Sequence, residues 1–151
     1  DVPFFLLGEN AWVEGIGDKL TALQIDPGTF LVVKPPHGLP TQSIFSDPGL
    51  KRDTEVAIIS GFAANPRTFG RNDMQSVALQ HCPGVSQALD WLAALDLDGR
   101  MTGSGSAVFA WAPANTAPNP EVPPGVPEGF VARWCSGLEA HPLSGWAHVM
   151  D

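Results

Sequence analysis

The clearest strand pattern in the chain lies at residues 29–34, where Thr-Phe-Leu-Val-Val-Lys combines β-branched, aromatic and continuously apolar positions. A run of this kind is typical of a strand buried on both faces, so it predicts a β-strand in the interior of a sheet. The Pro35-Pro36 pair ends the run, because proline supplies no backbone N–H to a ladder.

Four further runs complete the predicted strands. Residues 10–13 and 19–23 have strand character and are separated by the Gly-Ile-Gly of residues 15–17, which predicts a β-hairpin. Residues 106–112 and 130–134 are predicted as two further strands.

Helical spacing dominates the middle of the chain. Apolar residues recur every three to four positions on both sides of Pro83, which predicts two helices that meet near residues 81–84, with Asn72 as the first N-cap. The stripe consists of Met74, Val77, Ala78 and Cys82, followed by Val85, Ala88, Leu89, Leu92 and Leu95. A shorter helix over residues 42–46 is predicted with Thr41 as its cap, ended by Asp-Pro-Gly at residues 47–49.

Proline sets the remaining boundary. Residues 113–127 carry six prolines, so this segment is predicted to be a loop with at most one helical turn. Strands, then helices, then strands, without strict βαβ alternation, predict an α+β fold with an antiparallel sheet.

Composition narrows the possible functions. The 151 residues are 44% apolar and 16% charged, which is enough to form a core for one domain, or for one domain and part of another. The net charge of −8, with only eight basic residues, argues against nonspecific nucleic-acid binding or attachment to anionic membranes. No uninterrupted apolar run approaches the roughly 20 residues of a membrane span, and no basic segment of a signal peptide is visible. The spacing of Cys82 and Cys135 fits neither a metal site nor a redox pair, so we expect reduced thiols and a cytoplasmic protein.

A glycine loop is the sharpest candidate for chemistry. Glycines and small hydroxyl residues let the backbone approach a ligand, and successive N–H groups can form an anion-binding concavity. The loop lacks the Gly-Lys-Ser/Thr of a Walker A motif, the third glycine of GxGxxG and the register of a hydrolase nucleophile elbow. Taken alone, it is also compatible with a tight structural turn. Its residues are Thr102, Gly103, Ser104, Gly105 and Ser106.

Other candidate groups are isolated. Asp1 precedes an apolar Val-Pro-Phe-Phe segment and could accept the proton of a reacting hydroxyl, although the residues alone favour a terminal residue without a role. Phe45 could stack on a nucleobase or belong to the core. Arg67, Arg71 and Arg100 could bind a phosphate or remain solvated. No metal site or nucleophile–base pair is predicted from the histidines, which are His37, His81, His141 and His148.

Several motifs occur together in the order of one known family. The Asp-Val-Pro-Phe-Phe of residues 1–5 and the Pro-Thr, Ile-Phe and Asp-Pro pairs within residues 40–48 resemble segments of the 4-diphosphocytidyl-2-C-methyl-D-erythritol kinases. Residues 101–109 are similar to the third motif of the GHMP kinase superfamily, to which those kinases belong. Asn72-Asp73 and residues 129–133 also resemble family elements.

The resemblance implies an activity and roles for individual residues. The family phosphorylates the 2-hydroxyl of 4-diphosphocytidyl-2-C-methyl-D-erythritol with ATP and Mg²⁺ in isoprenoid precursor synthesis. Asp1 would be the catalytic base, Phe45 would stack on cytosine, Pro40 and Thr41 would help to hold the cytidine, and residues 102–106 would support the phosphate region. No residue of this chain is predicted as a metal ligand.

The resemblance also implies an organisation. Residues 15–151 would form the ferredoxin-like C-terminal domain of a GHMP kinase, and residues 1–14 would be a remnant of its N-terminal domain. The family's main ATP loop and catalytic lysine belong to an upstream half that these residues do not contain, so this half is an expected partner and the chain alone is expected to be inactive. The other expected partner is the cytidine-diphosphate-linked substrate, with no nucleic acid and no membrane. Two alternatives remain open: a substrate-binding module without catalysis, or a sibling GHMP kinase that acts on another small alcohol.

Overall fold

A computed structural model of the protein describes residues 2–25, 27–113, 116 and 120–143. The chain divides into two compact units, one formed by Asp1–Gly28 with Ser136–Asp151 and the other by Thr29–Cys135. The secondary structure elements, in chain order, are α1 (Val2–Leu7), β1 (Ala11–Glu14), β2 (Lys19–Ala22), β3 (Thr29–Lys34), α2 (Thr41–Ser46), α3 (Ile59–Ala64), α4 (Gln75–His81), α5 (Pro83–Ala93), β4 (Gly99–Met101), β5 (Val108–Trp111) and β6 (Val131–Ser136).

The smaller unit contains the predicted hairpin. β1 and β2 pair antiparallel with Trp12 opposite Thr21, and Gly15 and Gly17 in the turn have φ of 69° and 92°. Glycine adopts these left-handed conformations without steric cost, which explains why the chain reverses here. Glu9 also forms an isolated antiparallel bridge with Ala140, which ties the two chain segments of this unit together.

The larger unit is built on a four-stranded sheet with the strand order β4-β5-β3-β6. β5 pairs antiparallel with both β3 and β4. Read from the β6 edge, the four strands follow the order fourth, first, third, second along the chain, which is the order of a ferredoxin-like sheet. The predicted α+β fold with an antiparallel sheet is therefore confirmed.

The core of the larger unit lies on one face of this sheet. Alternate residues of β3 and β5 are buried, as the two-residue period of a strand requires. The helical stripe of α4 and α5 covers them, since Val77, Ala78, Val85, Ala88 and Leu92 are fully buried. On the other face, the rings of Phe30 and Trp111 pack with their centroids 4.2 Å apart.

Most of the predicted elements are confirmed, and the helix starts need correction. β3 has the predicted bounds, and α4 and α5 meet at Cys82 as expected. Thr41 is the first residue of α2 and does not cap it, because Pro40 occupies the cap position without a side-chain hydrogen bond. Met74, and not Asn72, is the N-cap of α4.

Three short elements were not predicted, namely α1, α3 and β4. Each has three to six residues, too few for a hydrophobic period to stand out from chance. In the proline-rich segment, the described residues 113, 116 and 120–127 form neither helix nor strand. The prediction that residues 1–14 and 15–151 belong to different domains stays a prediction, because compactness alone does not test it.

Candidate functional site

The glycine loop is the turn that joins β4 to β5. The amide N–H of Thr102 donates to the Ala107 carbonyl at 3.0 Å, and that of Gly105 donates to the Thr102 carbonyl at 3.1 Å. Gly103 and Gly105 have φ of 55° and 87°, both in the left-handed region. The loop is therefore a closed turn whose conformation depends on its two glycines.

Two side chains from the start of α4 clamp this loop. The Asn72 Nδ2 group donates to the Met101 carbonyl at 2.9 Å and to the Gly103 carbonyl at 2.8 Å. The Gln75 Oε1 atom accepts from the Met101 amide at 2.8 Å. Asn72 also accepts from the Met74 amide through Oδ1 at 3.0 Å, so the same residue shapes the turn before α4. The side-chain amide of Asn72 thus makes three hydrogen bonds, two of which hold the loop from the helix side.

Hydroxyl groups fix the loop from the α2 side. The Thr41 and Ser104 hydroxyl oxygens lie 2.9 Å apart and form a hydrogen bond. The Ser106 hydroxyl donates to the His37 carbonyl at 2.7 Å, and Ser106 is only 4% exposed. The predicted substrate segment and the predicted phosphate loop are consequently adjacent within the larger unit. The role of Ser106 in this contact is structural, because its hydroxyl is buried and already donates a hydrogen bond to the His37 carbonyl.

Phe45 lies on the outer surface of α2. Its neighbour Ile44 is fully buried, whereas Phe45 is 55% exposed. Ile44 anchors the helix in the core, and the Phe45 ring is accessible at the surface because successive helical residues point in different directions. Phe45 is therefore not a core residue.

The three candidate arginines each have partners within the larger unit. Arg100 donates to the Phe69 carbonyl at 2.8 Å. Arg71 pairs with Asp73 at 2.9 Å, and Arg67 lies 5.1 Å above the Trp111 ring.

Asp73 is the acidic residue of this group. Its pKa is held below the usual value chiefly by a hydrogen bond from Thr54; burial opposes this shift, and the charge of Arg71 lowers the pKa further. All three arginines therefore have partners within the protein, and none of them needs a bound phosphate to explain its position.

Some of the predicted site lies outside the described residues, and some contacts were missed. Asp1 is not among the described residues.

Within the part of the chain that the structure describes, no group of three or more His, Cys, Asp or Glu residues could hold a metal ion. In the same residues, no helix has both the length and the apolarity to cross a membrane. The clamp by Asn72 and Gln75 was not predicted, because it joins residues 26 to 31 positions apart and leaves no local pattern.

Replacing Asn72 by Ala is expected to lower the free energy of unfolding by about 1–3 kcal/mol, because two carbonyl groups of the loop lose their donor. The measurement is urea denaturation of the full-length protein that carries this segment. Asn72→Asp is the matched control, since it keeps the acceptor for the Met74 amide and removes both donated bonds. If Asn72→Asp were as stable as the wild type, the clamp would not hold the loop.

The family model described as GHMP kinases C terminal matches residues 57–120. A 4-diphosphocytidyl-2-C-methyl-D-erythritol kinase of Albidiferax ferrireducens is 62% identical over 97% of this chain and 50% of its own length. The protein of the same name from a Polaromonas species is 56% identical over 97% of this chain and 48% of its own length. The chain thus spans about half the length of these curated relatives.

A crystal structure of a 4-(cytidine 5'-diphospho)-2C-methyl-D-erythritol kinase shares the fold. It superposes with a TM-score of 0.64 at 24% identity and covers 91% of this chain and 53% of its own. Residues 57–120 thus match the C-terminal model of the GHMP kinases, and the chain is similar over nearly its whole length to about half the length of relatives named as 4-diphosphocytidyl-2-C-methyl-D-erythritol kinases.

Proposed function

We propose that the full-length protein carrying this segment is an ATP-dependent kinase that phosphorylates the 2-hydroxyl of 4-diphosphocytidyl-2-C-methyl-D-erythritol, in the cytoplasm. The names of the relatives support this substrate. The observation that carries the proposal is the hydrogen bond between Thr41 and Ser104, because it joins the proposed cytidine segment to the proposed phosphate loop.

The residues of this chain would bind and orient the substrate and move one proton. Phe45 would stack on the cytosine, and Pro40 and Thr41 would help to hold the cytidine. The loop of residues 102–106 would face the phosphate region. Asp1 would accept the proton of the 2-hydroxyl as the hydroxyl oxygen forms its bond to the γ-phosphorus of ATP and ADP leaves.

ATP would supply the phosphoryl group and Mg²⁺ would neutralise its charge when both are bound. We assign no residue of this chain to either of them. The nucleotide loop would lie in the other half of the protein. For this reason we propose that residues 1–151 alone are inactive.

The test of this function is a phosphorylation assay of the full-length protein with the cytidine-linked methylerythritol and ATP. Mevalonate and homoserine serve as competing alcohols. Turnover of the cytidine-linked substrate alone supports the proposal, whereas preference for another alcohol indicates a sibling GHMP kinase. Calorimetric binding of the cytidine compound without turnover indicates a binding module.

Replacing Phe45 by Ala is expected to raise KM for the cytidine-linked substrate about 5- to 150-fold, since stacking of a base on an aromatic ring contributes about 1–3 kcal/mol. The KM for ATP should not change. Phe45→Trp is the matched control, because it keeps an aromatic face at an exposed position. Equal KM values for Phe45→Ala and the wild type would contradict a stacking role.

A further inference from the structure

α2, the helix that carries Phe45, is only six residues long. A single helix of this length is not stable in water, because nucleation is costly and few hydrogen bonds repay it. The position of the Phe45 ring must therefore be set by contacts that α2 makes with the rest of the larger unit. Thr41 holds the first turn to the glycine loop, and Ile44 anchors the middle in the core.

The end of α2 is held by a hydrogen-bonded pair of side chains, Asp47 and His81. The His81 Nε2 atom lies 2.7 Å from the Asp47 Oδ2 atom. The other carboxylate oxygen of Asp47 accepts the Gly49 amide at 2.7 Å. His81 is the last residue of α4, whose Val77 and Ala78 are fully buried, so the pair ties α2 to a helix that cannot shift without disturbing the core.

Arg52 also contacts the same helix end. Its Nη2 atom donates to the Phe45 carbonyl at 2.6 Å, and its Nη1 atom donates to the Leu50 carbonyl at 3.1 Å. The last carbonyl groups of a helix have no partner within the helix, so a guanidinium that binds one of them restrains that residue. Arg52 therefore restrains the backbone of Phe45, the residue with the exposed ring.

We propose that Asp47, His81 and Arg52 are positioning residues that orient the Phe45 ring for the cytosine of the substrate. This inference rests on the proposed function, since it assigns a purpose to the same helix. None of the three residues needs to touch the substrate. Their effect would reach it through the backbone and ring of Phe45.

The ionisation of Asp47 is consistent with this role. The hydrogen bond from His81, followed by that from the Gly49 amide, holds the pKa of the Asp47 carboxyl below its usual value. The charge of Arg52 lowers the same pKa further, and His81 contributes a charge only when it is protonated. A lowered carboxyl pKa adds stability that is present above the unfolded-state pKa and is lost as the pH falls through the folded-state pKa. Asp47 therefore stays ionised, and able to accept from His81, throughout the neutral range.

The test compares kinetics of variants in the full-length protein. His81→Ala is expected to raise KM for the cytidine-linked substrate about fivefold, the equivalent of one lost hydrogen bond, with kcat and the KM for ATP unchanged. His81→Gln keeps an N–H donor and should restore most of the affinity. Gln80→Ala, at the exposed neighbouring position of α4, is the matched control.

The deciding measurement repeats His81→Ala in the Phe45→Ala background. If the pair acts through the ring, the KM increase caused by His81→Ala should disappear in that background. An equal increase in both backgrounds would overturn the inference, as would an unchanged KM for His81→Ala when Phe45→Ala alone raises it. An unchanged KM for Phe45→Ala would instead overturn the stacking role in the proposed function.

Arg52→Gln provides a second variant that does not depend on α4. It removes the guanidinium from the Phe45 carbonyl at an exposed position, so the fold is expected to survive even if His81→Ala weakens it. A raised KM for the cytidine-linked substrate that again disappears in the Phe45→Ala background is the expected result. A KM equal to that of the wild type for both Arg52→Gln and His81→Ala would overturn the proposal.

Discussion

Replacing Asp1 by Asn in the full-length protein is expected to lower kcat for phosphorylation about 10²- to 10⁴-fold, which is the usual contribution of a positioned general base. The amide keeps the size of the side chain but cannot accept the proton of the 2-hydroxyl. The KM for the cytidine-linked substrate should change little, because the proposed contacts to cytidine come from α2. Single-turnover kinetics at saturating ATP measure the effect on the chemical step directly.

The control for Asp1→Asn is Glu14→Gln, which makes the same carboxylate-to-amide change at an exposed position of β1. We expect its kcat to equal that of the wild type. A kcat for Asp1→Asn that matches the Glu14→Gln value would show that Asp1 is not the base. The kinase assignment itself would survive that result, since it rests on other residues.

The second large effect is expected from Gly105→Ala. The added Cβ would lie 2.7 Å from the Met101 sulfur and 3.2 Å from Leu39 Cδ1, at a φ of 87°. The left-handed backbone costs about 1–2 kcal/mol for a residue with a side chain, and overpacking costs about 1–3 kcal/mol. The sum predicts a loss of about 2–5 kcal/mol in the free energy of unfolding.

Gly103→Ala is the matched control in the same loop. Its φ of 55° is also left-handed, but nothing lies within 4 Å of the added Cβ. The expected loss is therefore the backbone cost alone, about 1–2 kcal/mol. Urea denaturation of both variants separates the two contributions, and equal losses would show that the Met101 contact does not constrain the loop. We also expect kcat/KM to fall further for Gly105→Ala, because the Ser104 hydroxyl would leave Thr41 as the loop shifts.

The local sequence pattern was sufficient to predict an element where its segment is long or regular. The bounds of β3 were predicted correctly because its six residues are continuously suited to a buried strand. The junction of α4 and α5 was predicted because Pro83 cannot continue the hydrogen-bond pattern of the first helix. The same reasoning identified the residues of the glycine loop, since only glycine adopts its left-handed conformations without strain.

Local pattern failed where long-range partners compete for a side chain. Thr41 has the chemistry of an N-cap, yet its hydroxyl bonds to Ser104, 63 positions away. Asn72 was expected to cap α4, but its amide serves the glycine loop and leaves Met74 at the cap position. A polar side chain satisfies whichever backbone or hydroxyl group the fold brings near, and propensities carry no information about that choice.

The order of apolar and polar residues by itself determined the α+β class, the hairpin, the central strand, the helix pair and the position of the glycine turn, because each depends on neighbours within a few residues. Only the tertiary structure decided that α2 lies against the glycine turn, that Phe45 faces outward, and that Asp47 meets His81 from 34 positions away. Those contacts depend on how strands and helices pack around one core, and packing joins residues whose separation in the chain leaves no trace in local sequence.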